Sequence, residues 1–288
     1  MIAKIRTLKD IRLYMSDVLA DMYAEQEQKA IFSMLIKIFL PADKLHILYD
    51  MNTPVQETDS SEICKIIDEL KQGKPIQYIL GETEFYNCRI TLSAATLIPR
   101  QETEELVDII VKENAGYKGQ IADIGSGSGC IAIALAKNMS GASVVGTDFS
   151  AEAIDIAKHN AEINNVKIRF IHEDIFKSSE IFSIRAGIIV SNPPYVRSSE
   201  KTLMHRNVLD YEPATALFVD DSNPLVFYKA ILEIAVEILQ IGGKIYFEIN
   251  EAFGNEMINL LNEFDYADVE LIKDINGKDR FIKGTKNG

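Results

Sequence analysis

The chain has 288 residues, 47% of them apolar and 25% charged, which suits a soluble globular protein of one large domain or two unequal ones. Lys plus Arg total 30 and Asp plus Glu 43, and the resulting −13 opposes non-specific attraction to a phosphate backbone. Cys64, Cys88 and Cys130 are too few for a disulfide framework, the N-terminus lacks a signal-peptide core, and the apolar stretch Ala30–Leu40 is broken by Lys37 and stopped by Pro41; a reducing, cytoplasmic setting and no membrane contact are expected.

In chain order, the first 72 residues read as helical. Leu8, Ile11, Met15, Val18 and Met22 share one helix face, as do Ile31, Met34, Leu35, Ile38 and Phe39, and then Ile63, Ile66, Ile67 and Leu70. Asp59 and Glu62 fit a capping box and Gly73 a C-terminal stop. The segment Glu84–Leu97 reads as a hairpin turning near Asn87. Helix and strand then alternate: helix Glu102–Asn114, strand Gln120–Ile124, helix Cys130–Asn138, strand Ser143–Thr147, a helix capped by Ser150, strands Lys167–Ile171 and Gly187–Ser191. Helix Leu225–Leu239, strand Lys244–Ile249 and helix Phe253–Glu263 follow, and two strands around Asn276–Gly277 close the chain as a hairpin. The expected fold is α/β: seven strands in a mostly parallel, doubly wound, Rossmann-like sheet with one antiparallel strand from the closing hairpin. A helical bundle over residues 1–83 would precede a hairpin and catalytic domain over 84–288.

Asp123-Ile124-Gly125-Ser126-Gly127-Ser128-Gly129 joins a strand to a helix, and Asp148 ends the next strand. Glycines permit a sharp turn and close backbone approach, and a carboxylate one strand on can accept both hydroxyls of a ribose. A dinucleotide loop spaces its glycines G-x-G-x-x-G; here the spacing is G-x-G-x-G, with an acid ahead of it. An acid beside the ligand suits a cation, so the loop favours S-adenosyl-L-methionine, with its sulfonium and ammonium, over NAD. Asp174, Ile175 and Phe176 follow the third strand, where they offer a carboxylate for an exocyclic amine and an apolar face for adenine; Ile175 and Phe176 also fit plain core packing.

Asn192-Pro193-Pro194-Tyr195 ends the fourth strand, at the edge where open parallel sheets bind ligands. An amide or aryl amine nitrogen is a poor nucleophile and needs acceptors that hold its N–H bonds. The Asn192 oxygen and the Pro193 carbonyl, aimed by two φ-locked prolines, are the candidates, with Tyr195 stacked on the planar group. Read alone, the motif also fits an Asx-Pro turn.

These segments together resemble the class I S-adenosylmethionine-dependent methyltransferases, specifically the HemK-type protein-(glutamine-N5) methyltransferases. Pro75–Gly81, Glu84-Phe85-Tyr86, Leu97–Glu104, Tyr211-Glu212-Pro213, Gly243…Glu248-Ile249 and Asp274–Arg280 are similar to family segments over nearly the whole chain. Gln101 replaces a proline of the family pattern; Asp221–Leu225 departs from its G-x-D-G-L stretch, and Asn250 and Phe253 replace a glycine and a glutamine, and neither of these last two departures is expected to touch the glycine loop or N-P-P-Y. The resemblance implies methyl transfer to the glutamine of the Gly-Gly-Gln motif in peptide chain release factors, with S-adenosyl-L-homocysteine as product. It implies Asn192 and Pro193 as holders of the substrate amide, Gly125, Gly127, Gly129, Asp148, Ile175 and Asn192 around the cofactor, and a helical domain that helps dock the release factor. Arg100 and Glu102 would shape the entrance or form a structural ion pair.

Rival readings remain at this point. Adenine-N6 nucleic-acid methylation shares N-P-P-Y but needs a basic groove, which the sequence does not display. An adenosyl-ligand sensor would not require an intact N-P-P-Y, and an NAD oxidoreductase is disfavoured by the glycine spacing. Methylation of a ribosomal-protein glutamine is the sister activity. His46, His159, His172 and His205 show no metal spacing, and Cys130 reads as a packing residue.

Overall fold

In the computed structural model, which describes residues 5–39, 50–177 and 180–288, Thr7 starts the first helix with a capping box. The Asp10 N–H donates to Thr7 Oγ1 at 3.3 Å and Asp10 Oδ2 accepts from Thr7 N at 3.0 Å. Helix α1 (Leu8–Leu19) buries Leu8, Ile11, Met15 and Leu19; it ends before Met22, which is 48% exposed. Helix α2 (Glu25–Phe39) buries Ile31, Leu35 and Ile36, while Met34 and Ile38 of the expected face point outward. Helix α3 (Glu57–Lys71) begins two residues before the expected Asp59 cap, with Gln56 as a cap that makes no side-chain bond. Gly73 does end it: φ is +88°, and Lys74 N reaches back to the Glu69 carbonyl. Helix α4 (Ile76–Leu80) completes this unit, whose core joins Leu8, Ile11, Leu35, Ile63, Ile67 and Leu70. Leu40, Pro41 and His46 lie outside the described residues.

The chain divides into units 1–80 and 81–288. The division falls before residue 84 because strand β1 (Glu82–Phe85) already pairs with β2 (Cys88–Thr91). Tyr86 and Asn87 turn the hairpin with φ of 45° and 60°, the two consecutive positive values of a tight hairpin turn. The open edge of β2 is covered by side-chain amides rather than by a third strand. Asn160 accepts from Thr91 N at 2.8 Å and donates to Thr91 O at 3.0 Å and to Ser128 O at 2.9 Å. Asn164, one turn on, treats Arg89 N and O the same way. Asn160 is fully buried, so Asn160→Ala leaves three backbone groups without their partner. It is expected to cost about 2–3 kcal/mol in urea denaturation, against under about 1 kcal/mol for the exposed-edge pair at Asn164.

The second unit continues as α5 (Gln101–Glu113), β3 (Gln120–Ile124), α6 (Cys130–Asn138), β4 (Ser143–Asp148), α7 (Ala151–Ile163), β5 (Ile168–His172) and β6 (Ala186–Ser191). Short pieces β7 (Val196–Arg197), α8 (Arg206–Tyr211), α9 (Ala214–Leu217) and β8 (Phe218–Val219) follow. The chain closes with α10 (Val226–Ile238), β9 (Leu239–Glu248), α11 (Gly254–Glu263), β10 (Tyr266–Lys273) and β11 (Asp279–Lys286). The seven-stranded sheet runs β10-β11-β9-β6-β3-β4-β5, and only β11 opposes its neighbours. All six residues of β6 are buried, the apolar run of a strand covered on both faces. From β3 the chain moves outward through β4 and β5, then crosses back to β6 on the other side of β3. That reversal parts the loops after β3 and β6 and opens a crevice at their carboxyl ends. Gln101 stands at the first helical position of α5 and is exposed, so the lost proline there changes no contact. No helix among the described residues is long and apolar enough to cross a membrane.

Candidate active site

The crevice is a cavity of about 620 Å³. Gly125, Ser126, Gly127, Ser128, Asp148, Asp174, Ile175, Phe176, Asn192, Pro193, Pro194 and Arg100 all line it. The loop after β3 owes its shape to glycine, with φ of +76°, +54° and +79° at Gly125, Gly127 and Gly129. The Gly125 and Ser126 N–H groups donate to the Thr147 carbonyl at 2.8 Å, and Gly129 N donates to Ser126 O at 2.8 Å. Gly127 N donates to Asp148 Oδ2 at 2.8 Å. These four amides are therefore occupied, and the loop offers no nest of them to a pyrophosphate.

Asp148 accepts from Gly127 N and, through Oδ1, from Ser150 N at 2.9 Å. Each oxygen keeps a lone pair for a hydroxyl. Burial raises its pKa, and the backbone bonds from Ser150 and Gly127 oppose that rise. Phe176 is 53% exposed and meets Phe227 at 5.4 Å between ring centres, so it is a wall of the cavity rather than core packing. Ile175 does both, lining the cavity and resting on the core. Asp174 accepts from Phe176 N at 3.0 Å and fixes the turn that presents these walls. The charge of the lining is acidic: Asp148, Glu152, Glu173 and Asp174 against Arg100. A diol acceptor, apolar walls for a planar base and an acidic lining fit an adenosyl group with a cationic tail; they do not fit a phosphate.

Asp123 does not contact the ligand space as expected. It is fully buried behind the loop, where Oδ2 accepts from Ala132 N at 3.2 Å in the first turn of α6 and Oδ1 has no hydrogen-bond partner. Burial pushes its carboxyl up to about 7. In the unfolded chain it titrates near 3.8, so between those values the folded state holds the extra proton. Stability then falls as pH rises through that window and levels off above about 7. Relative to Asp123→Asn, the protein is expected to lose about 2 kcal/mol between about pH 5 and about pH 7, read by urea denaturation of both proteins. An equal slope in the two would overturn the assignment. Burial also raises the Cys130 thiol to about 12, so it stays a thiol.

The N-P-P-Y end of β6 is held by Thr103 and Glu248, which lie in the family-like segments of the sequence but to which the sequence reading gives no role. Asn192 Nδ2 donates to Thr103 Oγ1 of α5 at 3.2 Å, and Thr103 Oγ1 donates to Glu248 Oε2 at 2.7 Å. The Tyr195 hydroxyl donates to the other oxygen of Glu248 at 2.9 Å. Tyr195 is thus turned away from the role expected of it: it does not line the cavity, and its ring packs on the core beside α10. Burial, then the Glu248 charge, hold its pKa well above the ordinary value. Glu248 itself is fully buried, which raises its pKa against the pull of the Thr103 and Tyr195 bonds. Tyr228 donates to the Glu248 carbonyl at 2.9 Å, and Arg280, paired with Asp274 at 3.1 Å, donates to Ile249 O at 3.3 Å.

Two further expectations change. Arg100 does not pair with Glu102, since residues two apart near a helix start do not face each other. Its Nη2 meets the buried Glu212 at 2.6 Å, while Glu212 Oε2 accepts from Ile98 N at 3.2 Å; Glu102 does not line the cavity. Asn250 does touch N-P-P-Y: its Nδ2 donates to Tyr195 O at 3.2 Å and to Glu200 at 3.1 Å, bonds a glycine cannot make. Phe253 lies under the Arg197 guanidinium at 5.3 Å. His159, His172 and His205 are exposed, and no group of metal-binding side chains occurs among the described residues.

Two family models match the chain: the Methyltransferase small domain over residues 101–212 and the PrmC N-terminal domain over residues 10–81. A Bacteroides thetaiotaomicron protein named Release factor glutamine methyltransferase is 44% identical, with 96% of this chain and 99% of that one aligned. Its Flavobacterium psychrophilum namesake is 41% identical over 96% and 98%. Among solved structures, the hMettl16 catalytic domain in complex with MAT2A 3'UTR hairpin 1 superposes with a TM-score of 0.55 over 93% of this chain and 92% of that one. At 15% identity it shares the fold alone.

Proposed function

The chain belongs to the release factor glutamine methyltransferase family, and from that premise we propose that it methylates the side-chain nitrogen of the glutamine in the Gly-Gly-Gln motif of a peptide chain release factor. Bound in the cavity, S-adenosyl-L-methionine supplies an electrophilic methyl on a sulfonium and leaves as S-adenosyl-L-homocysteine. Asp148 would take the ribose hydroxyls, Ile175 and Phe176 would flank the base, Asp174 would face its amine, and the turn Gly125–Gly129 would bring backbone close to the tail. Asn192 Oδ1 and the Pro193 carbonyl accept the two N–H bonds of the substrate amide. Held so, the nitrogen lone pair would be free to face the methyl group, and orientation supplies much of the rate. Transfer to the held nitrogen would release one N–H proton to solvent, and the Asn192 Oδ1 and Pro193 carbonyl acceptors would keep the amide oriented throughout.

The observation that carries this reading is the tethering of Asn192. Its NH₂ branch is spent on Thr103, so the branch left for the cavity is an acceptor, which is what an N–H-bearing substrate needs. The acidic lining and the −13 charge support a protein amide over a base set among phosphates, and stable nucleic-acid binding is not part of the proposal. The helical unit is assigned to docking the release factor, in the cytoplasm.

The test offers methyl-labelled S-adenosyl-L-methionine with three acceptors: release factor, total ribosomal protein and adenine-containing DNA. Label is expected in the release factor's Gly-Gly-Gln peptide. Label in DNA, or an unlabelled Gly-Gly-Gln peptide, overturns the reading.

A further inference from the structure

We propose that Glu248, which touches no substrate, is the positioning residue that decides which branch of the Asn192 amide faces the cavity. The inference rests on the methyl-acceptor reading above. It starts from what each group is able to do. An ionised carboxylate accepts and does not donate. Glu248 is fully buried at the end of β9, with the Thr103 hydroxyl at 2.7 Å on one oxygen and the Tyr195 hydroxyl at 2.9 Å on the other. Thr103 has a single proton, and Glu248 takes it. Thr103 Oγ1 then has only lone pairs to show to Asn192, 3.2 Å away. An amide facing lone pairs presents its NH₂. The carbonyl branch of Asn192 is therefore assigned to the cavity by a carboxylate two hydrogen bonds behind it.

The surroundings hold this chain of bonds still. Thr103 is 3% exposed in the first turn of α5, and Tyr228 and Arg280 fasten the Glu248–Ile249 backbone from two other elements. The same carboxylate restrains Tyr195, whose carbonyl is in turn held by Asn250. One buried anion thus fixes both ends of the N-P-P-Y segment, and the polar network is satisfied in one sense only.

Glu248→Gln preserves shape and burial but reverses the chain. The Gln carbonyl keeps the Tyr195 bond, and its NH₂ donates to Thr103 Oγ1. The Thr103 proton is then free to turn to Asn192, which flips and shows its NH₂ to the cavity. Two donors then face the substrate's N–H bonds. With purified release factor as acceptor, kcat is expected to fall about 10²-fold, with KM and S-adenosyl-L-homocysteine affinity changed by less than about 2-fold. Thr103→Val should do the same, Thr103→Ser should recover most of that loss, and the Glu248→Gln/Thr103→Val double variant should be no slower than either single, because the two act through one amide. A second readout needs no substrate: proton exchange at the Asn192 side-chain NH₂, followed by ¹⁵N NMR, should speed up at least about 10-fold in Glu248→Gln as that group leaves Thr103. Wild-type kcat in Glu248→Gln, multiplying losses in the double variant, or unchanged exchange each overturn the assignment. Failure of the wild-type enzyme to label the release factor would sink the substrate reading instead, and the exchange measurement still decides this one.

Discussion

Asn192→Ala is expected to lower kcat by about 10²–10³-fold while leaving S-adenosyl-L-homocysteine affinity within about 2-fold of wild type. The size follows from what the side chain does. It contributes one preorganised acceptor to a nitrogen that is otherwise delocalised, and it does so from the end of a fully buried strand that cannot shift to compensate. The loss belongs in kcat because a mispositioned amide still binds but does not present its lone pair. Asn192→Asp is a sharper variant. It puts a second acceptor opposite Thr103 Oγ1, whose proton is already given to Glu248, and so adds repulsion between lone pairs to the change of charge. Its kcat is expected to be no higher than that of the alanine variant. Isothermal titration with S-adenosyl-L-homocysteine and single-turnover labelling separate the two effects. Asn192→Ala with near-wild-type turnover would remove the amide clamp from the mechanism.

Much of this site was legible because its parts carry local signatures. A glycine-rich turn between a strand and a helix, an acid at the end of the next strand and N-P-P-Y at the end of a third are each readable within a few residues, and strand order then brings them to one edge. The supports were not legible in the same way. Thr103 meets Asn192 across 89 positions and Glu248 across 145, and neither distance leaves a periodicity in the chain. The available signal was a carboxylate placed inside the apolar run Ile245–Ile249, which burial allows only if it is satisfied. In the sequence Asn250 reads as a departure remote from the chemistry, since a glycine-to-asparagine change looks like a loop substitution, but its amide donates to the Tyr195 carbonyl. At the other end of the chain, Asp59 and Glu62 have the spacing of a capping box, but α3 has already begun at Glu57. The working box uses Thr7 with the shorter Asp10.

The glycine loop makes the second large prediction. Gly129 is the N-cap of α6 with φ of +79°, and a Cβ built on it lies 3.0 Å from Ala157 Cβ and 3.2 Å from Phe170 Cζ. A side chain there meets both obstacles at once, a left-handed backbone costing about 1–2 kcal/mol and overpacking costing about 1–3 kcal/mol. Gly129→Leu is expected to lose about 2–5 kcal/mol of stability and, because the turn must move to relieve the clash, its S-adenosyl-L-homocysteine binding. Gly125 and Gly127 differ in a way that makes the comparison informative. Both have positive φ, but nothing lies within 4 Å of a Cβ at either position. Gly125→Ala and Gly127→Ala should therefore show the backbone cost alone, about 1–2 kcal/mol, while Gly129→Ala exceeds both despite carrying the same methyl group. Urea denaturation reads the stabilities and isothermal titration the affinities. Equal losses at the three positions would mean that packing of α6 against α7 does not set the turn, and that the glycines act only through their backbone freedom.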